Sequence, residues 1–171
     1  MEYIIETDRL LLRELTWDDY DAISDIIQDD ETMYAYNGGV SDEAIKEWFE
    51  KIFVRYERDG HGLLAVVLKE NNKVIGQAGL STRYLENEPI IEIGYLFNKN
   101  YWKHGYATEA VIAIKNYGFD VFGFDEIYSL VRDTNVSSMN VAIRNGMTIR
   151  KRYIKYRKDL ELPHYAFSVR K

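Results

Sequence analysis

The sequence predicts an α+β fold (mixed α/β), with a single mixed, mostly antiparallel twisted sheet of about seven strands and helices on both faces. Three observations carry this. Residues 62–98 hold three successive strand-like runs separated by short polar turns, which is how antiparallel neighbours are joined. Residues 90–132 read strand, loop, helix, strand, the layout of one crossover connection. The C-terminal residues then form a final strand pair. The element order is β-α-α-β-β-β-α-β-α-β-β.

"RLLLREL" (9–15) opens this order as a strand of mixed pattern. Thr16 is placed as N-cap of a helix over "WDDYDAISDIIQ", whose first turn is acidic, as the helix dipole prefers. A second helix follows its cap Ser41. Ile45, Trp48, Phe49, Ile52 and Tyr56 recur there at helical spacing, and Gly60 ends it. "GLLAVVLKE" (62–70) is a strand, "NNK" (71–73) a tight turn, and "VIGQAGLSTRYL" (74–85) the returning strand. "PIIEIGYLFN" (89–98) is the next. Ala107, Ala110, Val111, Ile114 and Tyr117 mark one face of a helix ending near Gly118. "EIYSLVR" (126–132) is a strand, and "VSSMNVAIRN" (136–145) a short helix stopped by Gly146. "MTIRKRYIKYR" and "HYAFSVRK" close the chain as strands.

The 171 residues, 46% of them hydrophobic, fit one domain over 1–171 with a sizeable core. With only 2 Pro, no repeat and no low-complexity tract, nothing reads as a linker. The net charge of -6 disfavours binding a nucleic-acid backbone and favours a cationic substrate such as an amine. The chain has no Cys, which excludes disulfides, thiolate metal sites and a cysteine nucleophile. "MEYIIETDRLLLRE" has no signal-peptide layout, and no apolar run reaches the length of a membrane span, so a cytoplasmic protein without membrane partners is expected.

"YWKHGYATEA" (101–110) places a glycine loop between a strand and a helix. At Gly105 the backbone can approach a ligand closely. The helix that follows offers orphan N–H groups and a positive dipole end, which suits a pyrophosphate. The spacing is neither that of a Walker loop nor that of a dinucleotide-binding turn.

"EIGYLFNKNYWKHGYATEA" resembles motif A of the GNAT superfamily of N-acetyltransferases, whose acyl-CoA loop has the form Gln/Arg-x-x-Gly-x-Gly/Ala. "DTNVSSMNVAIRNGM" (133–147) resembles the second signature of that superfamily, Asn-x-x-Ser followed by a short helix. "TDRLLLRELTWDD" is similar to the start of the RimJ/RimL-type branch, which acetylates ribosomal-protein N-termini. The resemblance covers essentially the whole chain, in order. It implies the GNAT fold and acetyl-CoA as co-substrate. It places cofactor contacts at Leu96, Phe97, Trp102, Lys103, His104, Gly105, Tyr106, Ala107, Thr108, Asn135 and Ser138. Trp102 stands where the consensus has Gln or Arg, Lys103 where glycine is frequent, and His104 where Lys or Arg is frequent. The loop works through main-chain N–H groups, so these departures bear on its geometry and affinity.

The implied chemistry is acetyl transfer to a primary amine, whether a protein N-terminus, a polyamine or another small amine. The amine must lose its proton, the thioester carbonyl must be polarised, and the leaving thiolate needs a proton. The transfer that the resemblance implies is direct, and without Cys a cysteinyl acetyl intermediate is ruled out. Glu92 is the first candidate for general base. Strand alternation puts Glu92 and Gly94 on one face, opposite Ile91, Ile93 and Tyr95. A carboxylate between isoleucines is desolvated and its pKa rises. It also resembles the glutamate that histone-acetylating members carry on this strand. A solvated or ion-paired glutamate, and a base acting through ordered water, are the competing readings. Ser138 matches the serine assigned in the ribosomal-protein branch to the CoA sulfur, though a first-turn serine commonly bonds backbone. Asn135 resembles the asparagine that holds the pantetheine arm, and Asn is also a good N-cap.

Tyr34, Tyr36, Tyr153 and Tyr165 are candidates to line the acceptor site or donate a proton, against the commoner reading of core tyrosines. His61, His104 and His164 form no metal-ligand pattern, so no metal is expected; His164 could face the acceptor but fits better a surface residue. The basic run "RKRYIKYRK" (150–158) could meet the nucleotide 3′-phosphate or an acidic partner, and fits better a charged edge strand. Asp18, Asp19, Asp29, Asp30 and Glu31 suggest that the first two helices form an acidic outer wall drawing in a cationic amine. A non-catalytic acyl-CoA-binding or regulatory module, and a protein–protein scaffold with an empty cleft, stay open, as does homodimerisation.

Overall fold

The computed structural model describes residues 2–157 and 159–171. Its elements are β1 (Ile5–Glu6), β2 (Leu10–Glu14), α1 (Tyr20–Ile27), α2 (Asp42–Asp59), β3 (Leu63–Leu68), β4 (Lys73–Leu85), β5 (Glu88–Phe97), α3 (Tyr106–Asp120), β6 (Glu126–Arg132), α4 (Val136–Arg144), β7 (Thr148–Arg157) and β8 (Leu160–Arg170). They build one sheet in the order β1-β2-β3-β4-β5-β6-β8-β7. Every neighbouring pair is antiparallel except β5–β6, which is joined by the crossover through α3. The mixed, mostly antiparallel sheet expected from the sequence therefore forms. It has 8 strands rather than about seven, because β1 is too short for any alternation to show.

Helices cover both faces. On one, Ile23, Ile26 and Ile27 of α1 and Ile45, Phe49 and Ile52 of α2 bury against Leu63 and Ala65. On the other, Val111 and Ile114 of α3 and Val141 and Ala142 of α4 bury with Leu64, Val66, Leu80 and Ile93. β3 is buried along its whole length, which explains its unbroken apolar run between the two cores. None of these helices is long and apolar enough to cross a membrane.

Three boundaries differ from the sequence expectation, each for a tertiary reason. Trp17–Asp19 is a 3-10 turn ahead of α1. Thr16 caps that turn, donating its N–H to Asp19 Oδ2 at 2.9 Å, while Arg13 grips the same carboxylate at 2.7 and 2.8 Å. α3 runs through Gly118 instead of ending there. A Cβ at 118 would lie 2.9 Å from both Ile127 Cδ1 and Leu80 Cδ1, so this glycine lets the helix lie close on the sheet. β8 starts at Leu160 and contains Pro163. The β6 ladder ends at Arg132, opposite His164, and Asp133 N–H still donates to Pro163 O at 3.0 Å, so the proline forgoes only a return bond at the very end of that ladder.

Candidate active site

The crossover creates the site. β5 and β6 are paired only where Glu92 faces Tyr128. Beyond that point Gly94, Tyr95, Leu96 and Phe97 keep their β4 partners and have none on the β6 side, so the strands part. A cleft of ≈ 410 Å³ opens in the gap. Because it threads between strands, both faces of β5 line it: Glu92 and Gly94 from one, Ile93 and Tyr95 from the other.

Glu92 accepts a hydrogen bond from Arg83 Nε at 3.0 Å, and its side chain is 17% exposed. Burial pushes its carboxyl above the usual range, against the pull of Arg83 and the weaker pull of Lys155. That is the direction a base for an amine needs. Tyr36 shares the cleft. Although the residue is 44% exposed, the protein around its phenol, helped by the Glu92 charge, pushes the pKa up to about 12. Burial likewise raises Tyr153, with Glu92 adding. Both phenols therefore stay protonated at neutral pH and can donate. Tyr34 lies outside the lining but reaches it, whereas Tyr165 packs against the core on the opposite face.

Asn135 Oδ1 accepts from Ser138 N–H at 3.1 Å and from Tyr34 Oη–H at 2.7 Å, so the asparagine is the N-cap of α4. Ser138 lines the cleft. Its hydrogen bonds among the described residues use the main chain, including one from Tyr95 Oη–H to its carbonyl at 3.3 Å, which leaves the hydroxyl available. His164 corrects the sequence reading: it is 8% exposed and lines the cleft instead of the surface. Its Nδ1–H donates to Leu162 O at 2.8 Å, so Nε2 is the free lone pair. Burial lowers its pKa, and the ring is neutral.

The glycine loop lies at the C-terminal end of β5. Lys103 (φ 65) and Gly105 (φ 81) both sit in the left-handed region. The first main-chain bond of α3 runs from Glu109 N–H to Gly105 O at 3.0 Å, and no side chain caps the helix. The N–H groups of Tyr106, Ala107 and Thr108 are therefore without helical acceptors, which makes an anion seat at a positive dipole end. Trp102 Nε1 donates to Phe97 O at 2.8 Å, and His104 Nδ1 lies 2.7 Å from Trp102 O. Phe97 is buried, and Leu96 packs against the α1–α2 core. Arg9 holds the loop from outside. It donates to His104 O at 2.9 Å and to Glu109 Oε2 at 2.7 Å, and its guanidinium lies 4.5 Å over the Tyr106 ring.

The fold thus brings Glu92, Asn135 and Ser138 into one cleft; residues 102–108 follow the end of β5 and, like Leu96 and Phe97, are not among its lining residues. His61 is elsewhere, against Leu80 O at 3.1 Å. The acids read as an outer wall do not line the cleft. Asp19 pairs with Arg13, Asp29 and Glu31 pair with Lys99, and Asp30 accepts from Gly39 N–H. Arg9, Arg83, Tyr95 and Arg132 were missed from the sequence. Arg9 meets Glu109 across a separation of 100 residues, which no local pattern signals.

This geometry has relatives. A family model described as "Acetyltransferase (GNAT) domain" matches residues 9–148. The uncharacterized N-acetyltransferase YnaD of Bacillus subtilis (strain 168) is 32% identical over 84% of this chain and 81% of its own. The acetyltransferase structure from Agrobacterium tumefaciens str. C58 aligns with a TM-score of 0.82 at 26% identity, covering 100% of this chain and 95% of that one. The structure of RimL, a ribosomal L7/L12 alpha-N-protein acetyltransferase in complex with coenzyme A, shares the fold with a TM-score of 0.81 at 15% identity, covering 99% and 98%. The family match runs from the Arg9 that braces the glycine loop, through Glu92 and Gly105, past Asn135 and Ser138. On that span, this chain belongs to the GNAT acetyltransferase family.

Proposed function

We propose that this chain is an acetyl-CoA-dependent N-acetyltransferase that moves the acetyl group directly onto a primary amine. The observation that carries the proposal is the parted β5–β6 pair, with the anion seat at the end of β5 and Glu92 where the strands meet. Bound acetyl-CoA supplies the activated acyl group. The residues present suit it. The N–H groups at Tyr106–Thr108 can take the pyrophosphate, and the free edge of Gly94–Phe97 offers main-chain donors and acceptors to an amide-bearing arm. That RimL is described in complex with coenzyme A supports the same reading.

Glu92 takes the proton of the incoming ammonium, its raised pKa matching it to that task better than an exposed carboxylate. Ser138, with its hydroxyl uncommitted and its backbone fixed by Asn135 and Tyr95, donates toward the leaving sulfur. Calorimetry with acetyl-CoA, followed by detection of free CoA thiol over a panel of amines, tests the proposal. Tight binding with turnover of at least one amine is the expected result. Binding with no turnover on any amine would favour a non-catalytic acyl-CoA-binding module, and no binding would remove both readings.

A further inference from the structure

In a chain of net charge -6, the cleft is positive. Among the described residues its charged lining consists of Arg83, Arg132, Lys155 and Arg157 against the single carboxylate of Glu92. Arg83 is paired with Glu92. The other three have no carboxylate partner among the described residues. Arg132 donates through Nη1 to Asn37 Oδ1 at 2.8 Å and Ala35 O at 3.3 Å, and Arg157 donates to Tyr36 O at 2.9 Å. Neutral oxygens orient a guanidinium but leave its charge in place. Arg132 Nε is also buried with no hydrogen-bond partner among the described residues, an unmet donor of the kind that water or a ligand satisfies in native structures.

The strand registers put these cations on the Glu92 face. Glu92 pairs with Tyr128, Arg132 with His164, His164 with Tyr153, Leu162 with Lys155 and Leu160 with Arg157. Alternation along β6, β8 and β7 then keeps Arg132, Lys155 and Arg157 on one side. An amine held at Glu92 could extend its substituent over β6–β8–β7, toward positive charge. His164, neutral in their midst, adds no further charge.

We infer that the acceptor is a primary amine that also bears a negatively charged group, a carboxylate or a phosphate, which Arg132, Lys155 and Arg157 receive while Glu92 receives the amine. The inference rests on the N-acetyltransferase reading and narrows its substrate class. It reverses the sequence expectation of a cation drawn to acidic helices, because none of those acids lines the cleft and Asp19, Asp29 and Glu31 are held in ion pairs away from it. A polyamine would set its distal ammonium groups against three uncompensated cations.

The test compares matched amines with acetyl-CoA at saturating concentration: β-alanine against propylamine, O-phosphoethanolamine against ethanolamine, a Glu-Glu-Gly peptide amide against Gln-Gln-Gly amide, and spermidine alone. The expected result is a kcat/KM at least about tenfold higher for the anionic member of one pair, the pair identifying the source of the charge, with KM rising severalfold as salt screens the attraction. Arg132→Gln and Arg157→Gln should each raise that KM about tenfold or more, the scale of a lost charge-assisted hydrogen bond, with a much smaller change for the neutral member and acetyl-CoA affinity in place. If neutral or cationic amines are preferred or equal in every pair, or the anionic ones are inert while another amine turns over, the inference is overturned and the enzyme reading stands. If acetyl-CoA does not bind, the enzyme reading falls and this inference with it.

Discussion

Glu92 and Asp19 are both largely buried carboxylates, and they titrate in opposite directions because their partners differ. At Asp19 burial pulls the pKa up, but the hydrogen bonds from Arg13 and Thr16 together pull it further down. At Glu92 burial exceeds what Arg83 and Lys155 return. The signs follow by linkage. Asp19, depressed in the folded state, contributes stability that is present above its unfolded value of about 3.9 and is lost as pH falls through its folded pKa. Asp19→Asn should therefore cost about 3–5 kcal/mol at neutral pH, because it strands a buried guanidinium, and the gap to the parent protein should narrow in urea melts at pH 3. Glu92, raised in the folded state, favours the native protein most below about 4.3 and progressively less as pH climbs through its folded pKa. The same shift sets catalysis. kcat/KM should rise with pH with a midpoint above the ordinary glutamate value, and Glu92→Gln should lower kcat by roughly 10²- to 10⁴-fold. Acetyl-CoA affinity should stay nearly unchanged, and part of the rate should return at high pH, where free amine is abundant. A Glu92→Gln enzyme with parental kcat across the pH range would make Glu92 structural.

The loop between β5 and α3 is built on two left-handed residues, only one of which is glycine. Lys103 at φ 65 holds a conformation that costs an L-residue roughly 1–2 kcal/mol. Lys103→Gly should thus leave the fold intact or firmer, and acetyl-CoA affinity equal or tighter, unless the ammonium itself binds. Gly105→Val makes the opposite test. It strains φ 81 and places a Cβ 3.5 Å from Arg9 Nη2, so the acetyl-CoA Kd should rise at least about tenfold while the protein stays folded. A Kd unchanged in isothermal titration would remove the loop from the binding site. At this scale the sequence was legible where a signal is periodic or local. The Ile45–Tyr56 stripe, the Ser41 cap and the Gly60 stop stand where expected, because period and capping are written within a few residues. Gly118 was misread because its reason lies on Ile127 and Leu80, and β8 was cut short because the end of β6 excuses Pro163. The motif positions Glu92, Asn135 and Ser138 do converge on one cleft. The positive half of that cleft was legible only as a basic run, 150–158, read as a charged edge strand ahead of an anion contact; Lys155 and Arg157 reach Glu92's face only through the non-sequential order β6-β8-β7.

Net charge describes the whole molecule and says nothing of where its signs lie, which is why an acidic chain holds a basic cleft. The architecture has a further consequence. The sheet consists of a β1–β5 block and a β6–β8–β7 block, joined across the sheet at the Glu92–Tyr128 pair and bridged by α3, whose core contacts reach both. A ligand lying in the gap touches both blocks and should couple them. At acetyl-CoA concentrations about 100-fold above Kd, mass action adds about 2.7 kcal/mol of stability, or roughly 5–10 °C in Tm for a chain of this size. Hydrogen exchange separates bridging from mere binding. If acetyl-CoA fills the gap, the amides of Gly94–Phe97 and those of Val131–Ser138 across from them should slow together, while the distant β1–β2 edge changes only as far as global stability does. Gly105→Val should remove both the Tm gain and the paired protection at the same ligand concentration. Protection confined to residues 103–108, with Gly94–Phe97 unaffected, would mean that the ligand sits on the helix end alone. The parted strands would then have to be given some other role than holding the acyl donor.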